Sequence, residues 1–247
     1  MASERTVLIT GAAGLFGRIL RAHWGDRYQL RLSDVRAIED LAPHEEFIAA
    51  DIVQYEQLRL ACEGVHTLVH LAAYPGVGAE FYDTLLNLNI IGAYNAFHAA
   101  HQAGCQRLVF ASSIDAVKGY WDEGEIRCDV PVYPTNIYGA SKCWGEALAR
   151  VYAAQHGLSC ICVRLCNPGF DQAGDWDADE VISGLSRRDA ALLLGRCIDV
   201  EDVDFAIVNG ISNHRRGRLD LECTRQLLDF EPCDGTVFPR AARADSD

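Results

Sequence analysis

The sequence predicts an α/β protein with a doubly wound parallel sheet and a small C-terminal portion. Strand-like apolar runs alternate with stretches of helical periodicity over most of the 247 residues, and this alternation is typical of parallel sheets joined by crossover helices. The runs are almost continuously hydrophobic, as in L-V-H-L-A at 68–72, which fits strands covered on both faces. The seven predicted strands are 6–10, 28–33, 47–50, 67–72, 107–111, 159–165 and 205–209.

Helices are predicted between the strands, where apolar residues recur at spacings of three and four. The second and third of them carry more apolar residues than one buried face requires, including Ile90, Ile91, Tyr94 and Phe97. The predicted helices are 15–24, 84–102, 138–155, one that begins near Ser186, and 220–228.

The chain is expected to form one compact unit with two parts. The alternation of strands and helices is regular over 1–166 and loosens over 167–247, where a loop rich in Gly, Asp and Trp extends to residue 179. Long loops at the carboxyl ends of parallel strands usually carry the binding site. We therefore expect 167–247 to contribute a substrate-binding or lid portion.

The charge and the apolar pattern exclude some classes of partner. The formal net charge is −13 at pH 7, and no cluster of basic residues precedes Arg215, which argues against nucleic acid and anionic membranes as partners. No apolar run approaches the roughly 20 residues of a membrane helix, and the N-terminus lacks a signal-peptide pattern. We expect a cytoplasmic protein.

Ten cysteines are scattered through the chain without a CxxC pair. Such usage in a chain of this size indicates reduced, mostly buried thiols. Cys160 and Cys162 alternate along one predicted strand, as core residues do. No set of His and Cys has the spacing of a structural metal site, so no metal is predicted.

The run T-G-A-A-G-L-F-G at 10–17 joins the first predicted strand to the first predicted helix. Gly11 can take a tight turn that a Cβ would oppose, Gly14 lets the backbone approach a phosphate, and Gly17 lets the helix pack close to its strand. The helix N-terminus offers unpaired N–H groups to negative charge. This turn predicts a binding site for a dinucleotide pyrophosphate.

A carboxylate at the end of the second predicted strand distinguishes between dinucleotides. Asp34 follows the glycine turn at about the spacing of 20 residues at which an acidic side chain accepts the adenosine-ribose hydroxyls. Because it also repels a 2′-phosphate, it favours NAD. Arg36 is evidence in the opposite direction, since an arginine at this point can reach a 2′-phosphate.

A tyrosine and a lysine are expected to carry the chemistry. Tyr138 and Lys142 share one helix face at their i,i+4 spacing, and an adjacent ammonium together with a nicotinamide charge favours the phenolate. Tyr138 would then exchange a proton with the substrate oxygen while hydride passes between substrate and cofactor. Ser113 follows the strand at 107–111 and is placed to hydrogen-bond the same oxygen. Without the glycine turn, this pair would be interpreted as solvated surface.

Together these motifs resemble those of extended-type short-chain dehydrogenases/reductases of the NAD-dependent epimerase/dehydratase superfamily. The resemblance is continuous over about 5–168 and implies a Rossmann-type fold with an NAD-binding domain at 1–166. The motifs that carry it are T-G-A-A-G-L-F-G, Asp34, Asp51-Ile52, H-L-A-A at 70–73, N-I-I-G at 89–92, A-S-S at 111–113, Y-G-A-S-K at 138–142 and R-L-C-N-P at 164–168.

The resemblance also implies roles for individual residues. Asp51 and Ile52 would contact the adenine, and Asn89 would lie under the active-site lysine through a water molecule. Asp51 as a helix cap and Asn89 as a partner of backbone groups stay open as alternatives. His70, in an apolar strand, is interpreted as a core histidine and left out of the site.

Three sets of site residues follow from the motifs and the resemblance. The implied catalytic residues are Ser113, Tyr138, Lys142 and Asn89. The implied cofactor-binding residues are Gly11, Ala13, Gly14, Leu15, Phe16, Gly17, Asp34, Asp51, Ile52, Leu71, Ala72, Ala73, Asn89, Tyr138, Lys142, Asn167 and Pro168. The implied substrate-binding residues are Ser113, Ile114, Asp115 and Asn167.

Within the superfamily the sequence is most similar to uronate dehydrogenases, which oxidise a hexuronic acid at its anomeric carbon with NAD. Ile114 and Asp115 stand where those enzymes usually have Asn-His, and an arginine for the substrate carboxylate is not evident at 167–183. A substrate carboxylate beside Asp115 and the acidic stretch 171–180 would be repelled. A neutral sugar or polyol therefore stays open.

A uronate would instead require a cation, for which Lys118, Arg187 and Arg188 are the candidates. Nucleotide-sugar enzymes of the superfamily commonly have a larger C-terminal lobe, so a small substrate is expected. The leading hypothesis is an NAD-dependent dehydrogenase of a small sugar or sugar acid. The alternatives are an epimerase or dehydratase that regenerates its NAD, and a non-catalytic NAD-binding protein. The resemblance further implies a homodimer formed through a four-helix bundle.

Overall fold

The computed structural model describes residues 5–170, 184–213 and 217–235. Seven parallel strands form the central sheet in the order β3-β2-β1-β4-β5-β6-β9, and β7 pairs with β8 in a separate ribbon. The strands in the described residues are β1 (Thr6–Thr10), β2 (Gln29–Asp34), β3 (Glu45–Ala49), β4 (Thr67–His70), β5 (Arg107–Ser113), β6 (Ser159–Leu165), β7 (Asn167–Phe170), β8 (Gly184–Ser186) and β9 (Phe205–Gly210). The predicted doubly wound parallel sheet is confirmed.

Helices cover both faces of the sheet and divide the core in two. On one face α1 packs against α5, and on the other α2, α3 and α4 pack side by side. The indole of Trp24 donates a hydrogen bond of 2.8 Å to the Ala191 carbonyl and so joins the first pair. The helices are α1 (Leu15–Trp24), α2 (Tyr55–Ala61), α3 (Gly92–Gln102), α4 (Ile137–His156), α5 (Arg187–Asp199) and α6 (Glu222–Leu228).

Several predicted boundaries differ from the observed ones. The prediction of one continuous α-helix at 84–102 is wrong, because a π-helical segment, Phe81–Ile91, precedes α3. The strand predicted at 107–111 extends to Ser113, since its two serines continue the ladder with β6. The ribbon of β7 and β8 was not predicted. The loop predicted at 167–179 lies outside the described residues from 171 onward.

The glycine turn adopts the conformation that its sequence predicts. Gly11 has a φ of +71°, and a Cβ there would lie 2.9 Å from the Cα of Ala72. A Cβ on Gly17 would lie 2.3 Å from the Ala12 carbonyl oxygen. Both positions therefore need glycine, the first for its left-handed backbone and the second for close packing of α1.

All ten cysteines are free thiols, and seven of them are buried. In the described part of the chain, no helix is long and apolar enough to cross a membrane. The same residues contain no group of three or more His, Cys, Asp or Glu side chains that could hold a metal ion.

One ion pair lies wholly inside the protein. Glu146 of α4 accepts two hydrogen bonds of 2.9 Å from Arg164 of β6, and both side chains are almost fully buried. The hydroxyl of Ser112 donates to the same carboxylate at 2.7 Å, and Arg164 also donates to the Cys128 carbonyl at 3.3 Å. The pair therefore connects α4 to two adjacent strands of the sheet.

Glu146→Gln is predicted to lower the free energy of unfolding by about 3–5 kcal/mol, because it leaves the Arg164 charge buried without a counter-charge. Urea denaturation followed by circular dichroism measures the change. The matched control is Asp129→Asn, which breaks the exposed pair with Arg127 and is expected to cost about 0.2–1 kcal/mol. Equal losses in the two variants would contradict the prediction.

Candidate active site

A cavity of about 770 Å³ lies at the carboxyl ends of the strands. The chain segments that follow β1, β2, β3, β4, β5 and β6 all contribute to its wall. In a doubly wound sheet, ligands bind in this crevice, near the point where the strand order reverses. Here the reversal lies between β1 and β4.

Most of the predicted site residues line this cavity. They are Gly11, Gly14, Leu15, Phe16, Asp34, Asp51, Ile52, Leu71, Ala72, Ala73, Ser113, Asp115, Tyr138, Lys142, Asn167 and Pro168. Four other predicted site residues do not line it, namely Ala13, Gly17, Asn89 and Ile114. The cavity also takes in residues that were not predicted, among them Val35, Ala50 and Leu88.

The N-terminus of α1 faces one end of the cavity. Gly14 occupies the N-cap position, and no side chain of the described residues caps the helix there. A Cβ on Gly14 would approach only the Gly11 carbonyl, at 3.0 Å. The open N–H groups and the absence of a side chain fit a pyrophosphate at this position.

Asp34 lines the end of the cavity where the sequence predicts the adenosine. Its Oδ2 accepts a hydrogen bond of 3.0 Å from the Ala13 amide, which explains why Ala13 belongs to the motif without lining the cavity. Its Oδ1 accepts from the Arg36 amide at 3.0 Å and from the Arg36 side chain at 3.3 Å. Arg36 thus partners Asp34 while most of its side chain stays exposed.

Asp51 and Ile52 follow β3 on the same side of the cavity. The Oδ1 of Asp51 accepts a hydrogen bond of 3.0 Å from the Val53 amide, so it stabilises the turn that leads to α2. Ile52 is buried against Gly92, where a Cβ would lie 2.5 Å from its Cδ1. The alternative of Asp51 as a helix cap is wrong, because the N-cap of α2 is Gln54. Both Asp51 and Ile52 line the cavity.

Tyr138 and Lys142 lie on one face of α4 at the opposite end of the cavity. The Lys142 ammonium is 5.6 Å from the centre of the Tyr138 ring and donates to the Ala111 carbonyl at 2.9 Å. Burial lowers the pKa of Lys142 to about 8. Burial also raises the pKa of Tyr138, a hydrogen bond with Ser113 opposes this, and the Asp115 charge adds to it.

Ser113 and Asp115 form a polar group with the start of α4. The Ser113 hydroxyl donates to Asp115 Oδ2 at 3.2 Å, and Asn136 donates to Asp115 Oδ1 at 2.9 Å. Asn136 is also the N-cap of α4, because its Oδ1 accepts from the Gly139 amide at 2.7 Å. Asn136 was not among the predicted site residues. The signal for it in the sequence was an asparagine, which favours the N-cap position, directly before the helix that carries Tyr138.

Asn89 lies behind the catalytic helix. Its Oδ1 accepts from the Tyr74 amide at 2.8 Å, and its Nδ2 donates to the Tyr74 carbonyl at 3.2 Å and to the Ser141 hydroxyl at 3.0 Å. These contacts fix the loop after β4 against α4. A contact with Lys142 through water stays a prediction.

His70 is the core histidine that the sequence predicted. Its Nδ1 is 2.8 Å from the Thr10 hydroxyl, and burial lowers its pKa to about 3. The neutral ring therefore has a hydrogen-bonding partner inside the sheet and no part in the cavity wall.

The model of the NAD dependent epimerase/dehydratase family matches residues 7–188. The chain belongs to this family. It is an NAD-dependent enzyme of the extended short-chain dehydrogenase/reductase type, as its motifs predict, and the cavity fits the cofactor through the glycine turn and Asp34. NAD is its cofactor.

Individual relatives cover nearly the whole chain. An NAD-dependent glucose-6-phosphate dehydrogenase of Haloferax volcanii is 33% identical, with 95% of each chain covered. A uronate dehydrogenase of Pseudomonas putida is 32% identical over 96% of this chain and 87% of its own. A crystal structure of a uronate dehydrogenase variant from Agrobacterium tumefaciens, complexed with NAD, superposes with a TM-score of 0.84 at 29% identity, covering 94% of this chain and 86% of that one.

Asp34→Asn is predicted to move cofactor preference toward NADP. The substitution removes the charge that repels a 2′-phosphate and releases Arg36 to bind it. The wild type should show a higher kcat/KM with NAD than with NADP, and the variant should raise the NADP/NAD ratio more than about tenfold. Adding Arg36→Ala should cancel the gain. A wild-type preference for NADP would contradict the assigned role of Asp34.

Proposed function

We propose that this enzyme oxidises a hydroxyl of a small sugar or sugar acid, in the manner of a uronate dehydrogenase. The observation that carries the proposal is the convergence of Ser113, Tyr138 and Lys142 at one end of the cavity, opposite the Asp34 end. The relatives that support it are named as dehydrogenases of uronates and of glucose 6-phosphate. The portion 167–247 would hold the sugar, with Asn167 at the cavity wall.

Each side chain has a defined task in this reaction. NAD, when bound, accepts hydride from the carbinol carbon. Tyr138 takes the proton of the substrate hydroxyl as its C–O bond becomes a carbonyl. Ser113 orients that oxygen by a hydrogen bond, and the buried Lys142 charge stabilises the phenolate form of Tyr138. The proton later leaves to water, so that substrate and NAD yield a carbonyl product, NADH and one proton.

Removal of the Tyr138 hydroxyl tests this assignment. Tyr138→Phe should lower kcat by about two orders of magnitude or more, because it deletes the proton acceptor, while NAD still binds. Stopped-flow absorbance of NADH and quenching of tryptophan fluorescence by NAD measure the two quantities. Lys142→Met should lower kcat and also weaken NAD binding. Unchanged turnover in Tyr138→Phe would remove it from the mechanism.

The product distinguishes this function from the alternatives. A dehydrogenase accumulates NADH in proportion to oxidised sugar. An epimerase or dehydratase of the same family would convert sugar without net NADH, and a non-catalytic NAD-binding protein would bind NAD and convert none. The Ser113, Tyr138 and Lys142 arrangement weighs against the non-catalytic alternative, and the relatives named as dehydrogenases favour the first outcome.

We also propose that the enzyme is a homodimer, formed through a bundle of α3 and α4 from two copies. Six exposed apolar residues recur along α4 at alternating spacings of three and four: Ile137, Ala140, Trp144, Ala147, Val151 and Ala154. Ile91 and Tyr94 continue the exposed apolar surface at the start of α3. A stripe with this spacing fits helix pairing by knobs-into-holes packing.

Charge placed in the stripe should separate the subunits. Val151→Glu combined with Ala147→Glu is predicted to convert the dimer into monomer, because the carboxylates would be buried without partners. Light scattering during size-exclusion chromatography gives the mass. Leu41→Glu is the control, since Leu41 is equally exposed but lies before β3 at the far edge of the sheet. A monomeric wild type would contradict the proposal.

A cytoplasmic location is proposed from the thiols. Free cysteines throughout a chain of this size fit a reducing compartment.

A further inference from the structure

The charged side chains of the cavity fall into two groups. Asp34, Arg36 and Asp51 lie at the adenosine end. The substrate end holds Asp115, Lys118 and Lys142. A sugar bound beside Tyr138 therefore meets these last three charges.

Asp115 is held firmly in the wall of the substrate end. Ser113 and Asn136 each donate one hydrogen bond to its carboxylate, one to each oxygen. The start of α4 packs closely against its backbone, because a Cβ on Gly139 would lie only 2.4 Å from the Asp115 carbonyl oxygen. The carboxylate is mostly buried, with 15% of the side chain exposed. It is thus a fixed negative charge next to the reacting hydroxyl.

Three basic side chains that the structure describes in this region already have partners. Lys118 lies 3.8 Å from Asp115 Oδ1. Lys142 is buried, donates to the Ala111 carbonyl and faces Tyr138. Arg188, a candidate for an anionic substrate, instead donates to both oxygens of Asp234 at 2.5 and 3.2 Å.

Asp115 still has capacity to accept hydrogen bonds. An ionised carboxylate has about four acceptor positions, and Ser113 and Asn136 use one each. A sugar hydroxyl can donate to the remaining positions, whereas a substrate carboxylate or phosphate cannot donate when ionised. Two carboxylates within about 4–6 Å repel each other.

From this arrangement we propose that the substrate is a neutral aldose, with Asp115 accepting one of its hydroxyls and rejecting sugars that carry a carboxylate or phosphate. This inference rests on the proposed sugar dehydrogenase function. It sets the chain apart from relatives named for anionic sugars.

Matched sugars test the proposal. D-galactose and D-galacturonate, like D-glucose and D-glucuronate, share a ring and differ only at carbon 6, and glucose 6-phosphate adds a phosphate arm. The wild type should favour each neutral sugar by at least about tenfold in kcat/KM. Asp115→Asn should change the ratio of kcat/KM between each neutral sugar and its uronate by a similar factor in favour of the uronate, mainly by lowering the KM of the uronate. The variant keeps the shape and an acceptor oxygen, and NAD binding confirms that it is folded.

Two further variants serve as controls. Asp122→Asn removes the same charge from an exposed position outside the cavity wall and should leave the ratio unchanged. Lys118→Met should not raise the KM of a uronate, because Lys118 is not its partner.

Asp115→Asn has an effect on pH dependence as well. The Asp115 charge raises the pKa of Tyr138, so its removal should move the acid limb of the kcat profile to lower pH. A purely structural effect of the substitution would not shift that limb.

The outcomes are distinguishable. A wild-type preference for uronates or glucose 6-phosphate, or an unchanged ratio in Asp115→Asn, overturns the neutral-aldose proposal and leaves the dehydrogenase function intact. A steep rise in the KM of a uronate in Lys118→Met would also overturn the neutral-aldose proposal and leave the dehydrogenase function intact. Absence of NADH with every sugar overturns the dehydrogenase function itself, and the inference with it.

Discussion

The buried pair of Glu146 and Arg164 is the interaction on which the active site depends. Glu146 lies one turn after Lys142 on α4, and Arg164 lies on β6, three residues before Asn167. Ser112 brings β5 into the same contact. A buried ion pair often contributes less to stability than apolar packing of the same volume would. Removing one of its partners is nevertheless strongly destabilising, because the other charge is left buried without a counter-charge. Its geometry therefore fixes the catalytic helix relative to two strand ends.

The two ends of the cavity each carry a carboxylate, and the charges around these carboxylates differ. At one end Asp34 stands close to the positive end of the α1 dipole and to Arg36, which offset its charge. At the other, the cation that the described residues place in an ion pair with Asp115 is Lys118, at 3.8 Å. The Asp115 charge raises the pKa of Tyr138 and so opposes the phenolate that the proposed mechanism requires. Because Asp115 makes the Tyr138 phenolate less favourable, its position beside Tyr138 needs another reason. The proposed selection of neutral substrates provides that reason.

Much of the fold was predictable, because strands buried on both faces must be hydrophobic and glycines at a tight turn have few substitutes. The placement of Tyr138 and Lys142 on one helix face was predictable for a similar reason, since a four-residue spacing on a helix is local. The errors fall where local pattern is ambiguous. Ser112 and Ser113 look like a loop until β6 pairs with them, and nothing in the composition of 81–91 distinguishes a π-helix from an α-helix.

The sequence by itself determined the sheet, the dinucleotide turn, the acidic residue at its second strand, and Tyr138 with Lys142. Only the tertiary structure decided which charges meet. Asn136 donates a hydrogen bond to Asp115, 21 residues away in the sequence, and Arg188 donates to Asp234, 46 residues away. Such contacts are decided by how residues far apart in the sequence converge in the fold. Local periodicity carries no information about that convergence. The sequence pointed to Asp115 as a negative charge, and the three-dimensional structure showed which side chains bind it.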